Sequence, residues 1–130
     1  MLLADTSAWI EFFRDTGSPA CGELEAGLRD QRVVVTDPVV LELMSGVRPA
    51  EADRVEHLLN SQHYEPVVPR IDWLDAATIY RSCRRDGVTV RSQIDCLVAA
   101  VAIRTGLPLL QADRDFAPIA ARTSLQLVVD

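Results

Sequence analysis

Residues 92–116 read SQIDCLVAAVAIRTGLPLLQADRDF, and this segment contains the pattern that decides the fold. After Ser92, apolar residues recur three and four positions apart as far as Ala102, which is typical of a helix with a buried face. Gly106 ends that pattern, and LPLL (107–110) then has the character of a buried strand. A helix that leads into a buried strand favours a βαβ unit with parallel strands.

The rest of the chain alternates strand-like and helix-like segments in the same way. The other predicted strands are LLA (2–4), RVVVT (32–36), PVV (66–68) and LQLVV (125–129). A helix is predicted after a Thr6 or Ser7 cap, and another after an Asp37 cap followed by Pro38. Further helices are predicted over residues 50–62 and from Asp72, and FAPIAA (116–121) is a short helical piece. The sequence therefore predicts one α/β domain over residues 1–130, with a central, mostly parallel β-sheet flanked by helices on both faces.

Composition restricts the class of protein. Apolar residues make up 48% of the chain and charged residues 25%, as in ordinary globular proteins. No apolar run reaches the roughly 20 residues that span a bilayer, and MLLADTSAW (1–9) lacks the basic start of a signal peptide. We therefore expect a cytoplasmic protein that does not enter a membrane. Because all 13 basic residues are arginine, P-loop phosphate binding and Schiff-base chemistry are excluded.

Cysteine usage and net charge restrict the class further. Three cysteines without CxxC spacing argue against a disulfide framework and against structural zinc. The net charge of −6 argues mildly against nonspecific binding of nucleic acid. Net charge is weaker evidence if several of the acids are gathered around cations.

Four carboxylates follow strand ends or lie early in the helices that follow strands: Asp5, Glu42, Asp95 and Asp113. Such positions converge on one edge of a parallel sheet. Taken singly, Glu42 fits the solvent side of a helix, Asp95 fits a first helical turn, and Asp113 fits a turn after a strand. Taken together, they would repel one another unless a cation neutralised them. Magnesium with oxygen ligands meets that need, and it leaves room for the phosphate oxygens of a substrate.

These segments resemble the PIN domain, and specifically the VapC-type ribonuclease toxins of toxin–antitoxin pairs. LLADTSAWIEFF (2–13) is similar to the family's opening strand with Asp-Thr-Ser, and VVLELMSG (39–46) is similar to its glutamate helix. Residues 92–116 are similar to its aspartate helix, strand and acidic ending. The family often has threonine before the last acids, where this chain has Gln111 and Ala112.

The resemblance implies a catalytic site and partners. It makes Asp5, Glu42, Asp95 and Asp113 the catalytic acids, with Asp5 and Asp95 as direct ligands of Mg²⁺, or of Mn²⁺ in its place. Asp115 is then either a further ligand or the cap of the following helix. The resemblance also implies a homodimer, an RNA substrate such as a tRNA or a ribosomal RNA loop, and a small antitoxin whose tail fills the active-site groove.

The resemblance extends to supporting residues. It makes Thr6 and Ser7 hydrogen-bonding supports of the site. Several arginines are candidate phosphate contacts, with a solvated helix face as the alternative: Arg81, Arg84, Arg85 and Arg91. Three aromatic residues are candidate dimer or antitoxin contacts, although core packing is favoured for both tryptophans: Trp9, Phe12 and Trp73.

Three other classes of protein compete with this interpretation. A phosphoacceptor receiver domain needs an acidic pair after its first strand and a lysine after its fifth, and the chain has neither. A haloacid-dehalogenase-like phosphatase needs Asp-x-Asp where this chain has Asp5-Thr6-Ser7. A noncatalytic PIN-like module that binds RNA or protein remains the alternative. A cluster of mutually repelling acids argues against that module, because binding alone does not need one.

Overall fold

A four-stranded parallel sheet forms the centre of the molecule. The computed structural model describes residues 1–128, and its strands are β1 (Leu2–Ala4), β2 (Val33–Val35), β3 (His63–Tyr64) and β4 (Leu109–Leu110), in the order β3-β2-β1-β4. Every residue of β1, β2 and β4 is buried. Because successive strand side chains point to opposite faces, both faces of the sheet are covered. The predicted parallel α/β architecture is confirmed.

Seven α-helices surround the sheet within the described residues. They are α1 (Thr6–Phe13), α2 (Pro19–Arg29), α3 (Asp37–Gly46), α4 (Ala52–Asn60), α5 (Ile71–Arg85), α6 (Gln93–Thr105) and α7 (Phe116–Arg122), with a 3-10 turn at Pro49–Glu51. Helix α6 is the most deeply placed, since every residue from Asp95 to Ala102 is buried. Ser92 Oγ accepts a hydrogen bond from Ile94 N at its start, and Gly106 ends it with a positive φ of 70°.

Helix α2 lies in a segment for which no element is predicted. Ser18 Oγ caps it by accepting a hydrogen bond from Cys21 N at 3.1 Å, and Pro19 takes its first position. Gly27 allows the helix to approach β2 closely, because a Cβ atom there would lie 3.0 Å from Val33 Cγ2. The Ser-Pro pair is therefore a sequence feature from which the start of α2 could be predicted. The apolar periodicity of the helix is harder to recognise, because most of its buried residues are small.

The prediction of a strand at residues 66–68 is wrong. The third strand is His63–Tyr64, and Val67 N donates a 2.9 Å hydrogen bond to Asp37 Oδ2 instead of joining a ladder. Asp37 also accepts a hydrogen bond from the Tyr64 hydroxyl. Consequently Asp37 is not the predicted cap of α3. It lies in the first turn of that helix and holds the following loop with its side chain.

The predicted last strand is present only as a single bridge within the described residues. Leu127 pairs in parallel with Leu109, and Leu109 N donates a hydrogen bond to Gln126 O at 2.8 Å. Residue 129, at the end of the predicted strand LQLVV, lies outside the described residues. The predicted strand LPLL is likewise shorter than expected, because only its two leucines enter the sheet.

The two tryptophans differ in burial. Trp9 is fully buried, as predicted, but Trp73 is 55% exposed, so its predicted place in the core is wrong. Helix α5 turns another stripe inward, formed by Asp72, Ala76, Ile79 and Cys83. Trp73 lies one position beyond that stripe and faces outward with Ile71 and Leu74.

Two absences concern the described part of the chain. No helix there combines the length and apolar character that crossing a membrane requires. The cysteines of the described residues are all free and buried.

Candidate active site

The candidate site lies where β1 and β4 end side by side. Asp5 directly follows β1, and its backbone N–H donates a 2.9 Å hydrogen bond to Leu110 O at the end of β4. Ala112 N, in the segment after β4, donates to Ser7 Oγ at 2.9 Å. The strands that carry Asp5 and Asp113 are therefore neighbours, which is the condition for these two acids to meet at one sheet edge.

Asp5 is the most deeply buried acid of the site, at 2% exposure. It caps α1, in place of the predicted Thr6 or Ser7, because its Oδ2 accepts hydrogen bonds from Ser7 N at 3.0 Å and Ser7 Oγ at 2.6 Å. Its Oδ1 is buried and accepts no hydrogen bond from any residue of the described chain. A buried carboxylate oxygen without a donor is costly, and a bound cation would remove that cost.

Burial controls the protonation of Asp5. The pKa of Asp5 is raised to about 6, chiefly by removal from water; hydrogen bonds from Ser7 lower it, and the nearby charge of Glu42 contributes to the rise. The metal-free site therefore holds a proton more readily than an ordinary aspartate does.

Glu42 reaches the site from α3. Thr6 Oγ1 donates a 2.6 Å hydrogen bond to Glu42 Oε1, which joins the first turn of α1 to α3. The side chain is half-buried, so Glu42 is not simply on the solvent side of its helix. Thr6 and Ser7 thus each hold one acid, and the hydrogen bonds predicted for them are present.

Asp95 joins the acids into one electrostatic group. It lies in the first turn of α6 and is 7% exposed. Burial, followed by the charges of Asp5, Asp113, Glu42 and Asp115 in that order, raises the pKa of Asp95 to about 7. Asp5, Glu42 and Asp113, the other three acids predicted from the sequence, thus all lie within electrostatic reach of Asp95.

Asp113 and Asp115 project from the loop between β4 and α7. Asp95, Asp113 and Asp115 each offer a ligand atom, and these atoms all lie within 4.8 Å of one another. Gln111 Oε1 accepts a hydrogen bond from Asp113 N at 2.8 Å, so glutamine supports this loop where the family often has threonine. A set of close, partly buried carboxylate oxygens fits a hard divalent cation.

Comparison with known proteins identifies the family of this chain. A family model described as the PIN domain matches residues 2–122. This chain belongs to the PIN-domain family. A VapC ribonuclease of Mycobacterium bovis and Ribonuclease VapC11 of Mycobacterium tuberculosis are each 43% identical to it over 129 residues, covering 97% of this chain and 96% of theirs. The PIN domain is therefore of the VapC type.

The fold of this VapC-type PIN domain also matches a solved structure. The DNA-bound VapBC complex of Salmonella typhimurium contains a chain with a TM-score of 0.75 and 18% identity, matched over 98% of this chain and 97% of that one. The resemblance stated from the sequence is confirmed for the family and for the fold.

One residue of the site has a contact that the sequence does not predict. Arg91 binds Asp113 and Asp115 together through its guanidinium group, at 3.0 and 2.9 Å. The sequence leaves open whether Asp115 is a metal ligand or the cap of the following helix. Within the described residues, its side chain accepts no capping hydrogen bond from α7. It is buried beside Asp95 and Asp113 and accepts hydrogen bonds from Arg91.

The VapC-type PIN domain has two grooves between its helices, and one of them includes Glu42 of the site. One has a volume of about 400 Å³, lies between α5 and α6, and is lined by Trp73, Tyr80, Arg81, Arg84 and Gln93 among others. The other, of about 520 Å³, begins at Glu42 and runs between α1 and the α3–α4 segment over apolar side chains: Ile10, Phe13, Val47 and Val55.

A second group of potential metal ligands lies elsewhere. Asp15, Cys21 and Glu25 have ligand atoms within 4.8 Å of one another, but both acids are exposed to water. Exposed acids satisfy their charge by hydration, so this group carries no argument for a metal.

Proposed function

We propose that this VapC-type PIN domain is a metal-dependent endoribonuclease that acts as the toxin of a toxin–antitoxin pair. The observation that carries the proposal is the meeting of Asp95, Asp113 and Asp115 within 4.8 Å. The buried Oδ1 of Asp5, which accepts no hydrogen bond from a described residue, supports it, because a bound cation would offset the cost of burying that atom. Carboxylate oxygens favour Mg²⁺, and Mn²⁺ accepts the same ligands.

Each acid has a proposed part in the reaction. Asp5 and Asp95 are the direct metal ligands, and Glu42 and Asp113 complete the site directly or through water. A bound metal ion would supply activation of the attacking water and stabilisation of the leaving oxygen. Glu42, held by Thr6 at 2.6 Å, and Asp113 are the groups placed to accept a proton from the attacking water.

RNA is the proposed substrate. The two Mycobacterium relatives are named ribonucleases, and their 43% identity over nearly the whole chain supports the same substrate class here. The exposed Arg81 and Arg84, which line the groove between α5 and α6, are suited to phosphates. Following the family resemblance, we propose a structured RNA such as a tRNA or a ribosomal RNA loop, cleaved in the cytoplasm.

Two protein partners belong to the proposal. The apolar groove of about 520 Å³ that begins at Glu42 is suited to a short helical or extended segment of an antitoxin, which would cover the acids. The exposed apolar side chains of Ile71, Trp73 and Leu74 on α5 form a surface patch that we assign to the homodimer interface.

Cleavage of RNA by the purified, antitoxin-free protein tests the proposal. Total cellular RNA would be incubated with the wild type and with Asp5→Asn in Mg²⁺, Mn²⁺ or EDTA. We expect discrete fragments in either metal, none in EDTA, and a loss of at least about a hundredfold in Asp5→Asn, because loss of outer-shell metal partners alone typically costs 10- to 100-fold. Asp15→Asn, an equal change in the exposed second acidic group, should cleave like the wild type.

Several outcomes would contradict the proposal. If Asp5→Asn and Asp95→Asn both cleaved RNA as fast as the wild type, the assignment of the active site would be wrong. No cleavage in any metal by folded protein would favour a noncatalytic PIN-like binding module. In cells, expression without antitoxin should slow growth for the wild type but not for Asp5→Asn, and unimpaired growth at confirmed expression of the wild type would argue against a toxin.

A further inference from the structure

We infer that Arg91 is a positioning residue of the metal site, which holds Asp113 and Asp115 in the arrangement that receives the cation. The inference rests on the proposed function, since it assumes that these acids bind metal. The family resemblance makes Arg91 a candidate phosphate contact. In the folded chain its guanidinium group is instead bonded to carboxylates at both ends of the Asp113–Asp115 pair.

The hydrogen bonds of Arg91 form a fork. Nε donates to Asp115 Oδ2 at 2.9 Å, and Nη2 donates to Asp113 Oδ1 at 3.0 Å. The backbone N–H of Arg91 adds a third bond, to Asp115 Oδ2 at 3.2 Å. A planar guanidinium group fixes the direction of its donors, so this contact sets the separation of the two carboxylates as well as offsetting their charge.

The fork occupies only one oxygen of each carboxylate. Asp113 Oδ1 accepts from Arg91 and also from Asp115 N at 3.0 Å, and Asp115 Oδ2 accepts both the side-chain and the backbone bond of Arg91. Asp113 Oδ2 and Asp115 Oδ1 stay outside these bonds. Metal-binding carboxylates are commonly held in this way, with one oxygen hydrogen-bonded to the protein and the other free for the ion.

Arg91 also ties together the two segments that carry the acids. It lies just before Ser92, the cap of α6, and so four positions before Asp95. Its bonds join this segment to the loop after β4. Asp86, at the other end of the segment between α5 and α6, accepts a 2.8 Å hydrogen bond from Arg122 Nε at the end of α7. Arg91 therefore sets where Asp95 stands relative to Asp113 and Asp115, against the mutual repulsion of these acids.

Binding of Mn²⁺ to the full, antitoxin-free chain tests this role without RNA. The fraction of free Mn²⁺ would be measured by electron paramagnetic resonance for the wild type, Arg91→Gln, Arg91→Lys and Arg114→Gln. We expect the Kd to weaken by about 10- to 100-fold in both Arg91 variants, because lysine keeps the charge but cannot form the fork. Arg114 lies between Asp113 and Asp115 in the sequence, and Arg114→Gln removes the same charge as Arg91→Gln. Because Arg114 forms no ion pair with a described residue, this variant should bind Mn²⁺ like the wild type.

Cleavage kinetics then separate positioning from phosphate binding. In Arg91→Gln, the rate should recover as Mn²⁺ is raised, with the KM for RNA unchanged. A raised KM that Mn²⁺ does not correct would overturn the inference and assign Arg91 to the RNA.

The remaining outcomes of the Mn²⁺ titration are also decisive. Arg91→Gln binding as tightly as the wild type, or more tightly, would overturn the inference. So would full rescue by Arg91→Lys, since charge alone would then suffice. Circular dichroism identifies a misfolded variant, and the lysine variant supplies the test if the glutamine variant does not fold. If the wild type itself binds no Mn²⁺, the proposed metal site fails, which is a different result from failure of Arg91 alone.

Discussion

Asp95 is the residue at which burial and like charge act together. It is 7% exposed, and burial followed by the charges of Asp5, Asp113, Glu42 and Asp115 raises its pKa to about 7. Asp5, which is buried but stabilised by Ser7, has a pKa raised to about 6. Without a cation, ionisation of these two residues at neutral pH lowers the stability of the folded state.

The stability of metal-free protein should therefore fall as pH rises. The ordinary pKa of an aspartate, which applies to the unfolded chain, is 3.8, so between about pH 4 and pH 7 the folded state holds more protons than the unfolded state. Unfolding then releases protons, and the free energy of unfolding decreases with pH until the folded pKa is passed. Thermal unfolding in EDTA from pH 5 to pH 8 measures this dependence.

Asp95→Asn supplies the control for that measurement. Because the amide stays neutral, the Tm of this variant should depend less on pH and should exceed that of the wild type at pH 8 by at least about 3 °C. Asp53→Asn, at an exposed position in α4, should retain the wild-type slope. If the Tm of Asp95→Asn depended on pH as steeply as that of the wild type, Asp95 would not be the residue whose ionisation destabilises the metal-free protein.

Single residues of the site were predictable to different degrees. Asp5 and Asp113 could be predicted because each follows a buried strand, and neighbouring parallel strands end at one sheet edge. Asp95 could be predicted because it is the acid at the start of an otherwise apolar helix. Arg91 could not, since its contact joins two loops 22 to 24 residues apart, and no local pattern records such a contact.

At the scale of elements, a buried ion pair fastens α6 to the start of α5. Arg104, near the end of α6, donates from Nε and Nη2 to the two oxygens of Asp72 at 2.9 and 3.0 Å. The Asp72 side chain is fully buried, and Arg104 also binds Glu65 at 3.3 Å. This pair holds the connection between β3 and α5 against the helix that carries Asp95.

Removing Arg104 should be costly for stability. Arg104→Gln leaves Asp72 as an unpaired buried charge, and we expect a loss of roughly 3 kcal/mol in the free energy of unfolding, measured by urea denaturation. The matched change Arg54→Gln breaks an exposed pair with Glu51 and should cost less than about 1 kcal/mol. Equal costs for the two variants would contradict a structural role for the buried pair.

Elements were predicted well where periodicity was strong. Helix α6 and strands β1 and β2 have continuous apolar patterns, and they lie close to their predicted positions. Residues 66–68 look like a strand, but the amide of Val67 bonds a side chain of another element, which local propensity cannot reveal. Helix α2 was missed because its buried stripe consists mostly of small residues, namely Ala20, Cys21 and Gly27 beside Leu24, and Gly27 packs closely against Val33 of β2.

At the scale of the whole molecule, the sheet order accounts for the site. With β1 between β2 and β4, the end of the first strand meets the end of the last one. Helices α3 and α6 bring Glu42 and Asp95 to the same edge. Five of the 19 acidic residues thus gather in one place, so the net charge of −6 describes the site more than the surface that would meet RNA.

Anomalous diffraction from a crystal soaked in Mn²⁺ tests the central claim most directly, because it locates the ion without reference to activity. We expect a peak among the carboxylates of Asp5, Asp95 and Asp113, at the distance of about 2.0–2.2 Å typical of small divalent ions. The peak should vanish in Asp95→Asn. A peak only at Asp15, Cys21 and Glu25, or none at millimolar Mn²⁺ with the site open to solvent, would contradict the claim that the sheet-edge acids form the metal site.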